Sequence, residues 1–140
     1  MKWGQAKEIR RKFTNAVQAI AKNSPKIYDA FLLFDAWKPD TAYTANQKIR
    51  YNNQLYYAIT DHTSQADWTP DVTASLYTAI PNPNESGTAD NPISYNGNMA
   101  LEQGKYYIQN NVIYLCTRDT VSPVFNNLAD LVGLYVEVYA

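Results

Sequence analysis

Two asparagine pairs, 58 positions apart, constrain this chain more than any other feature. Asn52-Asn53 stands between Ile49-Arg50-Tyr51 and the run Gln54 to Thr60. A type I′ hairpin turn needs positive φ at both central residues, and after glycine asparagine tolerates this best. The same strand, turn and strand return from Ile108 to Thr117, around Asn110-Asn111. The frame predicts an ungapped repeat to the C-terminus, with identities at Ala42/Ala100, Tyr56/Tyr114, Asp61/Asp119, Ser64/Ser122, Leu76/Leu134 and Tyr77/Tyr135. The fold class expected is α+β and mainly β: an N-terminal helix, or two, followed by two tandem small antiparallel β modules.

Four segments follow. Residues 1–35 form a helical oligomerisation or docking segment, 36–80 the first β module, 81–92 a Pro/Asn/Gly-rich linker and 93–140 the second, related module. Within the first segment Ile9, Phe13, Val17 and Ile20 repeat at steps of four, four and three, giving one apolar stripe over residues 4–22. Such a narrow stripe has to pack on something. It covers the β modules or pairs with copies of itself, and its place before the Asn23-Ser24-Pro25 break favours self-association. Ser24-Pro25 reads as the start of a second helix over Pro25–Phe34, with Ser as cap and Pro in the first turn. That helix would place Ile27, Phe31 and Phe34 on one side, broadened by Leu32 and Leu33.

Charge separates the segments. Residues 1–26 hold seven Lys/Arg and one acid, whereas the remainder holds five basic and twelve acidic residues. A basic helix followed by an acidic β portion argues against nucleic acid as the partner, because the aromatics of that portion are not interleaved with Lys or Arg. No apolar run approaches the ~18 residues of a spanning helix, so no membrane partner is expected. Arg10-Arg11-Lys12 interrupt any secretory apolar core after Met1, so synthesis in the cytoplasm is expected.

The chemistry of catalysis is sparse. His62 is the single histidine, so a histidine-based triad would rest on it alone, in the polar loop Thr60–Gln65. One histidine and the single Cys116 make no zinc shell, and Cys116 lies mid-strand as a small buried hydrophobe. Five glycines include no phosphate-cradling motif. The expectation is a protein that is not an enzyme and needs no cofactor or metal.

Three runs carry a family resemblance: Ala36 to Tyr43, Ile49 to Ala58, and His62 to Pro70 followed by Ser75-Leu76-Tyr77. Together they resemble the small carbohydrate-binding modules of families five and twelve. They are most similar to the version in tailed-bacteriophage tail and baseplate proteins, whose loop H-T-S-Q-x-D-W-T-P-D is matched from His62 to Asp71. The resemblance implies a structural component of a phage tail or baseplate, resident in the virion. Its partners would be other tail proteins and itself, with a trimer expected, and a host cell-surface glycan. The alternative is a glycan-binding accessory module recognising host polysaccharide. Chitin-binding members of the family carry Trp just after the hairpin alanine, where this chain has Thr60-Asp61. The second repeat has Phe125 and Asn126 where the first has Asp67 and Trp68.

Sugar recognition requires exposed aromatic faces flanked by groups that bond hydroxyls. In a module this small, several rings must serve as core instead. Trp37, Tyr43 and Tyr56 are expected to be structural. The candidates for sugar contact are Trp68, Tyr51 and Tyr57, with Gln65 and Asp67 beside Trp68.

Overall fold

Both asparagine turns form as their sequence requires. In the computed structural model, which describes residues 15–139, Asn52 and Asn53 have φ of 48° and 62°, and Asn110 and Asn111 have 53° and 64°. After a 3₁₀ turn at Phe31–Leu33, the first repeat contains β1 (Ala42–Tyr43), β2 (Lys48–Tyr51), β3 (Gln54–Ala58), β4 (His62–Thr63) and β5 (Tyr77–Ile80). The second contains β6 (Ile93–Ser94), β7 (Tyr106–Gln109), β8 (Val112–Cys116), a 3₁₀ turn at Leu128–Leu131 and β9 (Val136–Val138). The sheets run β1-β4, β2-β3-β5 and β6-β7-β8-β9.

The repeat is visible bond by bond. Asn46 N donates to Ala58 O, and Ala58 N to Gln47 O; 58 residues on, Gly104 N donates to Cys116 O and Cys116 N to Lys105 O. Asp61 Oδ1 accepts from Ala45 N at 2.7 Å, and Asp119 Oδ1 from Gln103 N at 2.6 Å. The Asp61/Asp119 identity thus has a mechanical meaning, since each carboxylate ties the loop after its hairpin to the loop before it. The repeat also contains a parallel element. Ala36 bridges Arg50 in parallel, as Ser94 pairs with Ile108, so the modules are not purely antiparallel.

The frame fails at the last strand. Ala58 pairs with Tyr77, but Cys116 pairs with Val136 rather than Tyr135. Burial follows the pairing: Tyr77 and Val136 are buried, whereas Tyr135 is half-buried and Leu134 exposed. An ungapped alignment is blind to this one-residue slip, which moves every side chain of β9 to the other face of its sheet. Gly133, at φ 85°, donates to Val136 O just before the strand and gives the chain room for the shift.

Alternation along β2-β3-β5 produces two buried faces. Ile49, Tyr56, Ala58, Tyr77 and Ala79 belong to one apolar cluster that also contains Tyr95, Met99, Leu101, Tyr107, Tyr114 and Val136 of the second repeat. Tyr56 donates its hydroxyl hydrogen toward Asn96 O and Gly97 O, at 3.1 and 3.3 Å. Asn98 Nδ2 donates to Pro70 O and Tyr77 O, at 2.8 and 2.6 Å. Gly97 is obligatory at this seam: its φ is +98°, and a Cβ there would stand 2.6 Å from Asp71 O.

The opposite face carries Leu55 and Ile80 and is covered by residues from the N-terminal segment: Val17, Ile27, Ala30 and Phe34 are buried with them. Residues 15–18 are helical. Gln18 clamps the edge of β2 there, its amide donating to Lys48 O and accepting from Lys48 N, both at 2.8 Å. Of the expected stripe, Val17 is buried and Ile20 half-buried in this intrachain layer, while Ile9 and Phe13 lie outside the described residues.

The expected second helix over Pro25–Phe34 is not formed. Its residues make successive turns closed by i to i+3 bonds, among them Ile27 N to Ser24 O, Phe31 N to Tyr28 O and Leu33 N to Ala30 O. Tertiary bonding explains the tighter winding. The Tyr28 hydroxyl donates to Ile80 O and accepts from Leu55 N and Gln54 Nε2, which pins this segment to the sheet. Ile27, Ala30 and Phe34 then face inward, while Leu32 is 80% exposed.

Candidate functional site: exposed aromatics of the first repeat

The loop that displays Trp68 is held at both ends. On one side buried Ser64 donates its hydroxyl hydrogen to Lys38 O at 2.5 Å and accepts from Thr41 N at 3.0 Å. On the other, Pro70 is buried and its carbonyl is taken by Asn98. Between these anchors a turn closes from Trp68 N to Gln65 O at 3.0 Å. Gln65 and Asp67 are exposed, and Trp68 keeps 39% of its surface open. Among the described residues the Trp68 ring forms no aromatic pair. A large indole held by a fixed loop, with part of its surface open and no aromatic partner among the described residues, is suited to stacking on a ligand ring.

Tyr51 lies elsewhere, at the hairpin tip. Its ring meets Trp37 edge-on, with centroids 5.7 Å apart and planes at 84°. Trp37 reaches this place because its backbone N–H donates to Arg50 O at 2.9 Å, extending the sheet along β2. The pair borders a groove of about 330 Å³ with Phe31, Arg50, Asn52 and Asn53. Two half-buried aromatic rings beside a guanidinium and two carboxamides offer stacking surface and hydrogen-bond donors together. Sequence reasoning treated Trp37 as core and passed over Arg50 and the turn asparagines. The parallel bridge that brings Ala36 and Trp37 alongside Arg50 and Tyr51 leaves no mark in local sequence.

Tyr57 is in a third setting. It faces the N-terminal layer, opposite to Tyr56, and Lys22 Nζ lies 3.5 Å from its ring centre. A cation already occupies that π face. The structure therefore keeps Trp68, Gln65 and Asp67 on one loop, places Tyr51 with Trp37 at a groove, and sets Tyr57 under Lys22. Tyr43 and Tyr56 are buried.

His62 is engaged at both ring nitrogens, Nδ1 with Thr60 O and Nε2 with the Tyr77 hydroxyl, each at 2.8 Å. A carbonyl only accepts, so Nδ1 carries the proton; in the neutral ring Nε2 then accepts from Tyr77, whose oxygen accepts from Trp37 Nε1 at 2.9 Å. This chain of bonds fixes the Trp37 ring beside Tyr51. Burial pushes the Tyr77 hydroxyl up from its ordinary value, against the Trp37 hydrogen bond. Cys116 is buried and donates toward Arg118 O, with burial raising its thiol as well. Among the described residues no group of three or more His, Cys, Asp and Glu could hold a metal ion, and no helix is long and apolar enough to cross a membrane.

Residues 36–78 match carbohydrate-binding module family 5/12. That span runs from Ala36, ahead of β1, to the start of β5 and contains Trp37, Tyr51, Tyr57, Gln65, Asp67 and Trp68. The chain is 43% identical over 42 residues to chitinase A1 of Niallia circulans, covering 30% of this chain and 6% of the chitinase. It is 32% identical over 60 residues to chitin disaccharide deacetylase of Vibrio alginolyticus, covering 42% of this chain and 14% of the deacetylase. The chain spans less than a sixth of the length of either relative.

Proposed function

We propose that this chain is a non-catalytic glycan-binding protein whose first repeat docks a neutral polysaccharide of the chitin type through Trp68, with Gln65 and Asp67 bonding hydroxyl or amide groups beside it. The carrying observation is the exposed, unpaired Trp68 indole inside the span that matches a carbohydrate-binding family. Both relatives are named for action on chitin or its disaccharide, which supports the choice of polymer. The Trp37–Tyr51 groove offers a separate stacking surface.

The biological setting we propose is a phage tail or baseplate. There the protein sits in the virion among other tail proteins, self-associates as a trimer, and presents the module to host-surface polysaccharide. Support for this setting comes from the His62–Asp71 loop, which resembles that of tail proteins.

The test is sedimentation of the full chain with insoluble chitin and with host cell wall, beside Trp68→Ala. Loss of one stacked indole should weaken binding by about fivefold, since such contacts contribute on the order of 1 kcal/mol beyond area burial. Thermal melting checks that the fold is intact in that variant. Wild-type protein that binds neither material overturns the glycan reading.

A further inference from the structure

The relay from Thr60 O to Trp37 Nε1 has a one-way group at each end. A carbonyl only accepts and an indole N–H only donates, so the bonds between them can be arranged in one way. His62 Nδ1–H donates to Thr60 O, the Tyr77 hydroxyl to His62 Nε2, and Trp37 Nε1–H to the Tyr77 oxygen, at 2.8, 2.8 and 2.9 Å. Each hydrogen then lies between one donor and one acceptor, and the imidazole is neutral.

A second proton on the ring upsets that count. Nε2 then carries a hydrogen aimed at a hydroxyl whose own hydrogen lies in the same 2.8 Å contact. The hydroxyl has to turn its hydrogen away, yet Tyr77 is 0% exposed and no solvent is there to take it. Among the described residues its oxygen has no hydrogen-bond partner besides His62 and Trp37. An imidazolium and an intact Trp37–Tyr77 bond together leave a buried hydroxyl hydrogen without an acceptor. Trp37 is half-buried, so withdrawal of its indole opens the hydroxyl to water.

The groups that face the imidazole do not offset the added charge. From β1 it meets Tyr43, with ring centres 6.0 Å apart, and from β5 it meets Tyr77 at 4.9 Å. Burial raises both phenols, so neither supplies a negative charge. On its own chain Asp61 precedes it, with Oδ1 committed to Ala45 N at 2.7 Å. His62 forms no ion pair among the described residues.

We propose that His62 is a positioning residue for the Trp37–Tyr51 stacking surface, holding the indole while its ring is neutral and releasing it on protonation, so that a glycan docked there is let go on acidification. The consequence for the glycan rests on the glycan-binding reading above; the movement of Trp37 does not.

Nuclear magnetic resonance of the nitrogen-15-labelled full chain, from about pH 8 to pH 5, reads both ends of the relay. The imidazole nitrogens report the single histidine, and the Trp37 indole N–H is assigned by its loss in Trp37→Phe. On acidification the Trp37 signal should shift upfield and exchange faster with water in step with His62 protonation, while the Trp68 signal stays unchanged. His62→Gln keeps an acceptor for Tyr77 and a donor for Thr60 but takes up no proton, so its Trp37 signal should be constant. Tyr77→Phe should show the released signal at every pH, with thermal melting as the check that both variants fold. Sedimentation with insoluble chitin should show retention weaker by about fivefold at the lower pH, the loss of one stacked ring, and no such change in His62→Gln. Four results overturn the proposal: a Trp37 signal constant over the range, a response that survives in His62→Gln, unfolding before the signal moves, or equal chitin retention despite a moving indole. Absence of chitin binding at both pH values counts against the glycan-binding reading, and the indole signal still decides the role of His62.

Discussion

Replacing Gly97 by alanine should split this molecule's stability into a local and an inter-repeat part, provided Gly104→Ala is measured beside it. Both glycines have positive φ, +98° and +87°. An L residue forced to positive φ costs about 1–2 kcal/mol, and loss of glycine's freedom in the unfolded chain returns about 0.4–1 kcal/mol. A Cβ on Gly104 meets nothing within 4 Å, so that variant should lose only about 1 kcal/mol. A Cβ on Gly97 would stand 2.6 Å from Asp71 O, a backbone atom that cannot swing aside. Relieving that overlap means parting the two repeats at the seam, where Tyr56 and Asn98 make their cross-bonds. Overpacking of this kind adds about 1–3 kcal/mol, so Gly97→Ala should lose about 2–4 kcal/mol. Urea unfolding followed by tryptophan fluorescence and by circular dichroism gives both numbers. The expected result is one coincident transition for each protein, with the Gly97 variant shifted well below the Gly104 variant. Equal losses would refute the seam argument. Two separated transitions, with only the second repeat affected, would refute the shared core.

Two further outcomes follow from buried tyrosines and from one strained valine. Burial pushes the Tyr107 hydroxyl up to about 12, and desolvation moves Tyr28, Tyr56 and Tyr95 the same way. The folded state favours the neutral phenol, so its stability is intact below the unfolded tyrosine value of about 10 and falls as pH rises from there through about 12. Tyrosinate absorbance and circular dichroism should change together in that window; ionisation of all twelve tyrosines near pH 10 with the fold retained would contradict this. Val121 is 87% exposed at φ 66°, within a three-residue turn closed from Ser122 N to Thr120 O. Val121→Asn should therefore stabilise by about 1 kcal/mol in urea unfolding, and a loss would show that the valine packs usefully.

What the sequence announced were features encoded by neighbours along the chain. Asn52-Asn53 and Asn110-Asn111 set both hairpins, because positive φ at two successive residues selects asparagine locally. That Tyr43 and Tyr56 serve as core was legible too, though not that both faces of the sheet are covered. The turns over residues 25–34 were misread as helix, since Tyr28 is bonded to Ile80 and Leu55, contacts invisible to local propensity. The identities Leu76/Leu134 and Tyr77/Tyr135 suggested an unbroken frame, yet β9 slips by one residue; pairing is fixed by which side chains fill the core, and Val136 does what Tyr77 does. The Trp37–Tyr51 groove depends on a parallel bridge across fourteen positions and was missed for the same reason.

Duplication also explains where a glycan surface can lie. A lone three-stranded sheet could offer a face of aromatics to a sugar chain. Here the second repeat takes one face of β2-β3-β5 and residues of the 15–34 segment cover the other. Tyr56 and Tyr77 are spent on the core and Tyr57 lies under Lys22, so among the described residues of the first repeat stacking surface lies at loops and edges, as Trp68 and as Trp37 with Tyr51. The same packing creates a new place: a second hairpin laid against the first leaves an acid- and amide-lined seam that neither repeat has alone.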